Sequence, residues 1–179
     1  MKRNILLTTL LLFVIVVSSC QKEDPTPPIT RQGTIVAESF DENFRIILYS
    51  EKDIYSEIEE IDIWGTIEYI GVEDSIKIYS GSPYMGYTVE SEGVEYIQNI
   101  ILTMLIVTTL EKGEIHEFPL IKLGGFSEDE ADADFWREFY SEERMLFPVG
   151  VYQLTFSTGF YTDSDSDIEL IIHYQFEVQ

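Results

Sequence analysis

Alternating carboxylates at Asp163, Asp165 and Asp167, separated by Ser164 and Ser166 and followed by Glu169, form the sharpest chemical constellation in the chain. Spaced so in a tight loop, they can turn several oxygens toward one Ca²⁺, a hard cation that takes six to eight of them. The EF-hand spacing fails twice: Ile168 stands where that loop needs Gly, and Tyr174 where it needs a bidentate Glu. The plainer alternative is a solvated acidic turn. A second set is aromatic. Trp64 falls on the polar side of an alternating segment, with Tyr79, Tyr84 and Tyr87 following, and flat rings with polar tips suit stacking on sugar faces or on a protein partner. Core-capping and loop-lining are the alternative roles for the same rings.

Other chemistry has little to draw on. His116 and His173 are the two histidines, and Glu114-Ile115-His116-Glu117-Phe118 lacks the second His of a zinc protease motif, so both read as surface residues. Cys20 is the single cysteine and there is no Gly-x-Ser-x-Gly elbow, which removes disulfides, thiolate metal sites and the common nucleophilic triads. Paired carboxylates can hydrolyse glycosides, but 33 Asp and Glu offer no distinguished pair. The chain therefore reads as non-enzymatic, with no catalytic residues assigned and no cofactor required, calcium at the acidic loop being the one candidate ion.

Charge narrows the partners. The formal net charge is -22, and taking away residues 1–19 removes Lys2 and Arg3 but no acid, giving -24. Nucleic acid and anionic membrane surfaces need Lys and Arg to neutralise phosphates, so neither is expected to bind the domain. Cations and basic proteins are favoured.

The elements that must position these residues are strands. Phe44, Ile46 and Leu48 alternate with polar neighbours, as do Ile61, Ile63, Ile67 and Tyr69, whose opposite face holds Asp62, Trp64, Thr66 and Glu68. Ile76 and Ile78 continue the scheme up to a loop at Gly81-Ser82-Pro83. Residues 97–110 are apolar on both alternating sets, which predicts a central strand covered on both faces. Glu111-Lys112-Gly113 should then turn the chain into a hairpin with Ile115 to Leu123, where Pro119 marks an edge or bulge. Ser127 with Glu130 fits a capping box, predicting one helix over residues 128–143. Tyr152, Leu154 and Phe156, then Ile168 through Val178, alternate as a terminal hairpin.

Pro148-Val149-Gly150-Val151-Tyr152 resembles the start of the penultimate strand of immunoglobulin-like sandwiches. Some eight or nine strands and one helix then imply a mainly β fold, an immunoglobulin-like antiparallel β-sandwich with one inserted helix. A closed lipocalin-like barrel is the alternative.

The N-terminus supplies an address. Lys2 and Arg3 precede an apolar run from Ile5 to Val17, too short for a spanning helix of about 20 residues, and small residues lead to Cys20. Val17-Ser18-Ser19-Cys20 resembles the lipobox of bacterial lipoproteins, which implies a signal peptide over 1–19 and acylation of Cys20. Each buried methylene of such an anchor contributes about 0.8 kcal/mol. Lys22-Glu23-Asp24 resembles the export signal of surface lipoproteins of Bacteroidota, implying an outer membrane anchor with the domain facing outward. Pro25, Pro27 and Pro28 stiffen a tether over 20–32, and 33–179 is left as one β domain. The expected function is a non-catalytic, surface-anchored binding or adhesion module, accessory to glycan or peptide capture. A structural envelope lipoprotein contacting a basic partner is the alternative, and a carboxylate-dependent hydrolase stands third.

Overall fold

Strand alternation sends every second side chain to one face, and here two such faces close on each other. The computed structural model describes residues 33–164 and 167–179, which hold ten strands and one helix. They are β1 (Thr34–Phe40), β2 (Phe44–Ser50), β3 (Ile54–Tyr55), β4 (Ile63–Tyr69), β5 (Ser75–Ser91), β6 (Val94–Ile97), β7 (Leu102–Glu111), β8 (Ile115–Pro119), α1 (Ala133–Ser141), β9 (Gly150–Thr162) and β10 (Ile171–Val178). One sheet runs β1-β2-β4-β8; the other runs β3-β10-β9-β5-β6, with β7 also on β5. The sheets make a sandwich and neither closes into a barrel. Phe44, Ile46 and Leu48 of β2 and Ile63, Ile67 and Tyr69 of β4 are buried against Leu154 and Phe156 of β9 and Ile172 and Phe176 of β10. The expected terminal hairpin is β9 with β10, paired from Gly150↔Val178 to Ser157↔Ile171. At its start the Tyr152 hydroxyl donates to Pro148 O at 2.7 Å, the corner that the Pro-x-Gly-x-Tyr pattern implies.

The expected loop at Gly81-Ser82-Pro83 lies inside β5, a strand of 17 residues. Its register shifts there against both neighbours: Ser80 and Met85 pair with Phe160 and Thr158 of β9, while Ser80 and Ser82 pair with Ile106 and Leu102 of β7. The bulge changes the parity of the strand. Ile78 and Ser80 are buried before it, and Met85, Tyr87 and Val89 after it, so both halves face the core despite their odd separation.

Three expectations are corrected. The apolar stretch at 97–110 is no central strand: β7 lies at an edge and pairs, among the described strands, with β5 alone. The turn after it exists, with Gly113 at φ +78 and Glu114 N bonded to Glu111 O at 3.1 Å. However, β8 crosses to the other sheet and pairs with β4, because His116 and Phe118 pack inward against Tyr84. Pro119 does sit on an edge strand. The helix is shorter than expected. Ser127 Oγ accepts from Asp129 N rather than capping a helix, which favours a turn, and α1 begins after Asp132, whose carboxylate takes the Trp136 indole N–H at 2.9 Å. At its other end Lys122 Nζ donates to Phe139 O and Glu142 O, closing two helix-terminal carbonyls.

Gly65 of β4 meets Phe156 of the facing sheet, and a Cβ at Gly65 would overlap that ring. Gly65→Ala is expected to destabilise the domain by about 1–3 kcal/mol through overpacking. Adding Phe156→Leu should recover part of that loss in denaturant unfolding, beyond the sum of the two single changes.

Candidate binding face

The bulge that restores the parity of β5 also opens its outer surface. Gly81 of β5 and Gly159 of β9 lie side by side without side chains, and Ile101 folds over both. Around this floor a groove of about 350 Å³ is walled by Tyr79 and Tyr161, by the start of β7 and by Asp167. Tyr79 and Tyr161 are paired across the ladder and stack at 5.4 Å with their planes 15° apart. Beyond Tyr79 in the same row comes Val107 of β7. Apolar residues on both alternating sets of β7 stay in water: Leu102 and Met104 on one, Leu105 and Val107 on the other, with Met104 and Leu105 each 65% exposed. The nine residues Leu102–Leu110 carry no charge.

Electrostatics give this face a sign. The Tyr79 hydroxyl is hydrogen-bonded to Asp163, and that carboxylate holds the phenol above its ordinary value. Asp167 stands at the groove wall. Two elements of the sequence reading, Tyr79 and the Asp-rich loop, therefore meet at one place. Glu169 is exposed, and Asp165 lies outside the described residues. Among the described residues no group of three or more His, Cys, Asp or Glu is gathered as a cation would need. Cys20 and Lys22-Glu23-Asp24 also lie outside the described residues.

The remaining aromatic candidates do not join Tyr79. Trp64 is 2% exposed rather than on an open face, because Tyr49 stacks on it at 5.3 Å and the backbone at Gly33 lies against its ring. Tyr87 is buried between the sheets, stacked on Phe156 at 4.7 Å with its hydroxyl donating to Phe118 O at 2.6 Å. Tyr84 is half-buried and edge-on to Phe118 and Phe160. A sugar-stacking platform of these four rings does not form. Tyr161, which sequence spacing passed over, is the true partner of Tyr79. Its position opposite Tyr79 depends on the β5–β9 register, which no local pattern encodes.

The histidines divide as well. His173 is exposed and shares a 3.1 Å hydrogen bond with Thr155, as expected of a surface residue. His116 is turned inward instead: its Nδ1 and the Tyr84 hydroxyl are 2.9 Å apart, and Glu114 reaches Nε2 at 3.5 Å.

No family model matches the chain, and no curated protein matches it in sequence. Among solved structures, it is similar to the crystal structure of Spo0M, a sporulation control protein from Bacillus subtilis, with 14% identity and a TM-score of 0.37. The match covers 76% of this chain and 49% of that one, so it spans about half of the other protein's length.

Burial, with the Glu114 charge second, pushes the Tyr84 phenol up to about 12 from 10.0. The folded state thus favours the protonated phenol, and its contribution is complete below pH 10 and lost as the pH rises toward 12. Denaturant midpoints measured from pH 8 upward should hold steady and then fall through that window. Tyr84→Phe should make the fall shallower without removing it, because burial also raises Tyr152 and Tyr174.

Proposed function

We propose that this protein is a non-catalytic binding module held at the outer membrane by an acylated Cys20 and facing outward, and that it captures its partner on the β5–β7–β9 face. The observation that carries the reading is the uncharged, exposed apolar run of β7 beside the groove of Gly81 and Gly159. Contiguous apolar surface of this kind marks interaction sites, and a polar rim of Tyr79, Tyr161, Asp163 and Asp167 matches the anatomy of a recognition patch. A protein partner suits this face better than a glycan, because Trp64, Tyr84 and Tyr87 are committed to packing within the domain. The anchor reading rests on the lipobox resemblance at Val17-Ser18-Ser19-Cys20 and the outward orientation on Lys22-Glu23-Asp24.

Two measurements test this. Cys20→Ser should move the protein from the membrane fraction to the soluble fraction; a variant that stays with the membrane would refute the lipid anchor. Reversible cross-linking of cells carrying the full chain should yield one specific adduct that falls at least about tenfold in Leu105→Lys, as expected for a charge buried in a small interface. Val72→Lys, at another exposed apolar position, should leave it unchanged. Equal adduct in both variants would move the binding face away from β7.

A further inference from the structure

Sheet edges offer rows of backbone donors and acceptors to any strand that comes alongside, and proteins blunt them with charge, proline, bulges or brevity. Four edge strands here are blunted so. Strand β1 has Glu38 and a register shift near Ile35; β8 has His116, Glu117 and Pro119; β3 is two residues long; β6 is four and carries Glu95. Strand β7 differs from all of them. It too shifts register, between Leu102 and Ile106, but it is ten residues long, holds no proline and meets its first charge at Glu111.

The occupant of that edge can be read from charge. Residues 33–179 hold 31 Asp and Glu against seven Lys and Arg, so a second copy would bring the same large negative charge to the contact. The groove next to the edge is acidic through Asp163 and Asp167, and its stacked tyrosines offer ring faces that attract a guanidinium or ammonium group. Lys77 lies two residues along β5 from Tyr79 on the same face, so the acidic character belongs to the groove end of β7.

Resting on the binding face proposed above, we infer that β7 is an acceptor edge for strand addition, and that its partner is an extended segment of another protein in which apolar residues alternate with Lys or Arg. Backbone hydrogen bonds to the outer edge of Leu102–Thr109 supply the pairing, as in other peptide-capturing sheets. Apolar side chains of the segment, all on one of its faces, pair across the ladder with Leu102 and Met104, and the basic ones fall on the side of Leu105 and Val107. Basic side chains on the other face of the segment lie on the Val107 side of β7, point toward Tyr79, and are drawn by the Asp163 and Asp167 carboxylates beyond it.

The probe is a ten-residue peptide of alternating Val and Arg, titrated against the full chain in mild detergent beside a Val–Glu peptide and a Val–Arg peptide N-methylated at alternate residues. The expected result is binding of Val–Arg at least about tenfold tighter than Val–Glu at low salt, with the gap narrowing as ionic strength rises from about 50 mM to about 500 mM. Amide exchange should slow within 102–109 in the complex, N-methylation should abolish binding, and the Asp163→Asn, Asp167→Asn double variant should weaken it several-fold. Binding lost in Leu105→Lys but indifferent to N-methylation would overturn strand addition and leave the binding face standing. Self-association lost in Leu105→Lys, with no peptide bound, would overturn the basic partner in favour of a second copy. No peptide binding, with an adduct in cells unaffected by Leu105→Lys, would overturn both the inference and the face.

Discussion

Strand β5 has one neighbour, β9, along one edge and two partial neighbours, β6 and β7, along the other. A straight 17-residue strand with its odd and even positions fixed would turn half of its apolar residues to water. The bulge from Gly81 to Tyr84 resolves this by shifting the parity, and it does so where both neighbours also lose register. The outer groove is the other side of the same irregularity: Gly81 and Gly159 meet where regular pairing fails, and Ile101 covers them only in part. The exposure of β7 has the same origin. It shares its edge of β5 with β6, and nothing among the described strands pairs beyond it.

Packing between the sheets depends on size at a few points. Gly65 lets the Phe156 ring reach the backbone of β4, and the Tyr87 hydroxyl then ties β5 to β8 through Phe118 O. At one end Tyr96 collects Trp136 and Phe139 of α1 and Tyr152 of β9 in edge-to-face contacts of 5.2 to 5.5 Å. Such pairs contribute about 0.5–1.5 kcal/mol each beyond the area they bury. Lys122 fastens the same helix from below by its terminal carbonyls and lies 4.5 Å from the Phe139 ring centre. Burial there holds the ammonium below its usual range, with the Glu142 charge opposing.

Most of the few cations in the domain are already engaged. Arg45 pairs with Glu68, Lys52 with Glu59, Arg137 with Glu128 and Asp134, and Arg144 with Glu142. Exposed pairs of this kind add little to stability, so their larger effect is on the field: they leave a surface whose remaining charge is almost all negative. A surface of one sign repels its own copies.

Alternation was enough to place β2, β4, β9 and β10, because period two is a local consequence of strand geometry, and Glu111-Lys112-Gly113 marked the turn at Gly113. Pro148-Val149-Gly150-Val151-Tyr152 marked the start of β9 for the same reason, and the Tyr152 hydrogen bond found there spans only four residues. The sandwich followed from counting such strands. Pairing was not legible. A run such as Leu102–Leu110 has the same composition whether another strand covers it or not, so it read as central when the fold leaves it at an edge. Trp64 read as exposed because its neighbours are polar, yet Tyr49 and Gly33 reach it from distant parts of the chain. Of the candidate site, the sequence by itself determined Tyr79, the flanking carboxylates and the acidity. Only the tertiary structure decided that Tyr161 stacks on Tyr79, that two glycines form a groove floor and that β7 stands open beside them, since these depend on register and on the end of a sheet, which are set by long-range contacts.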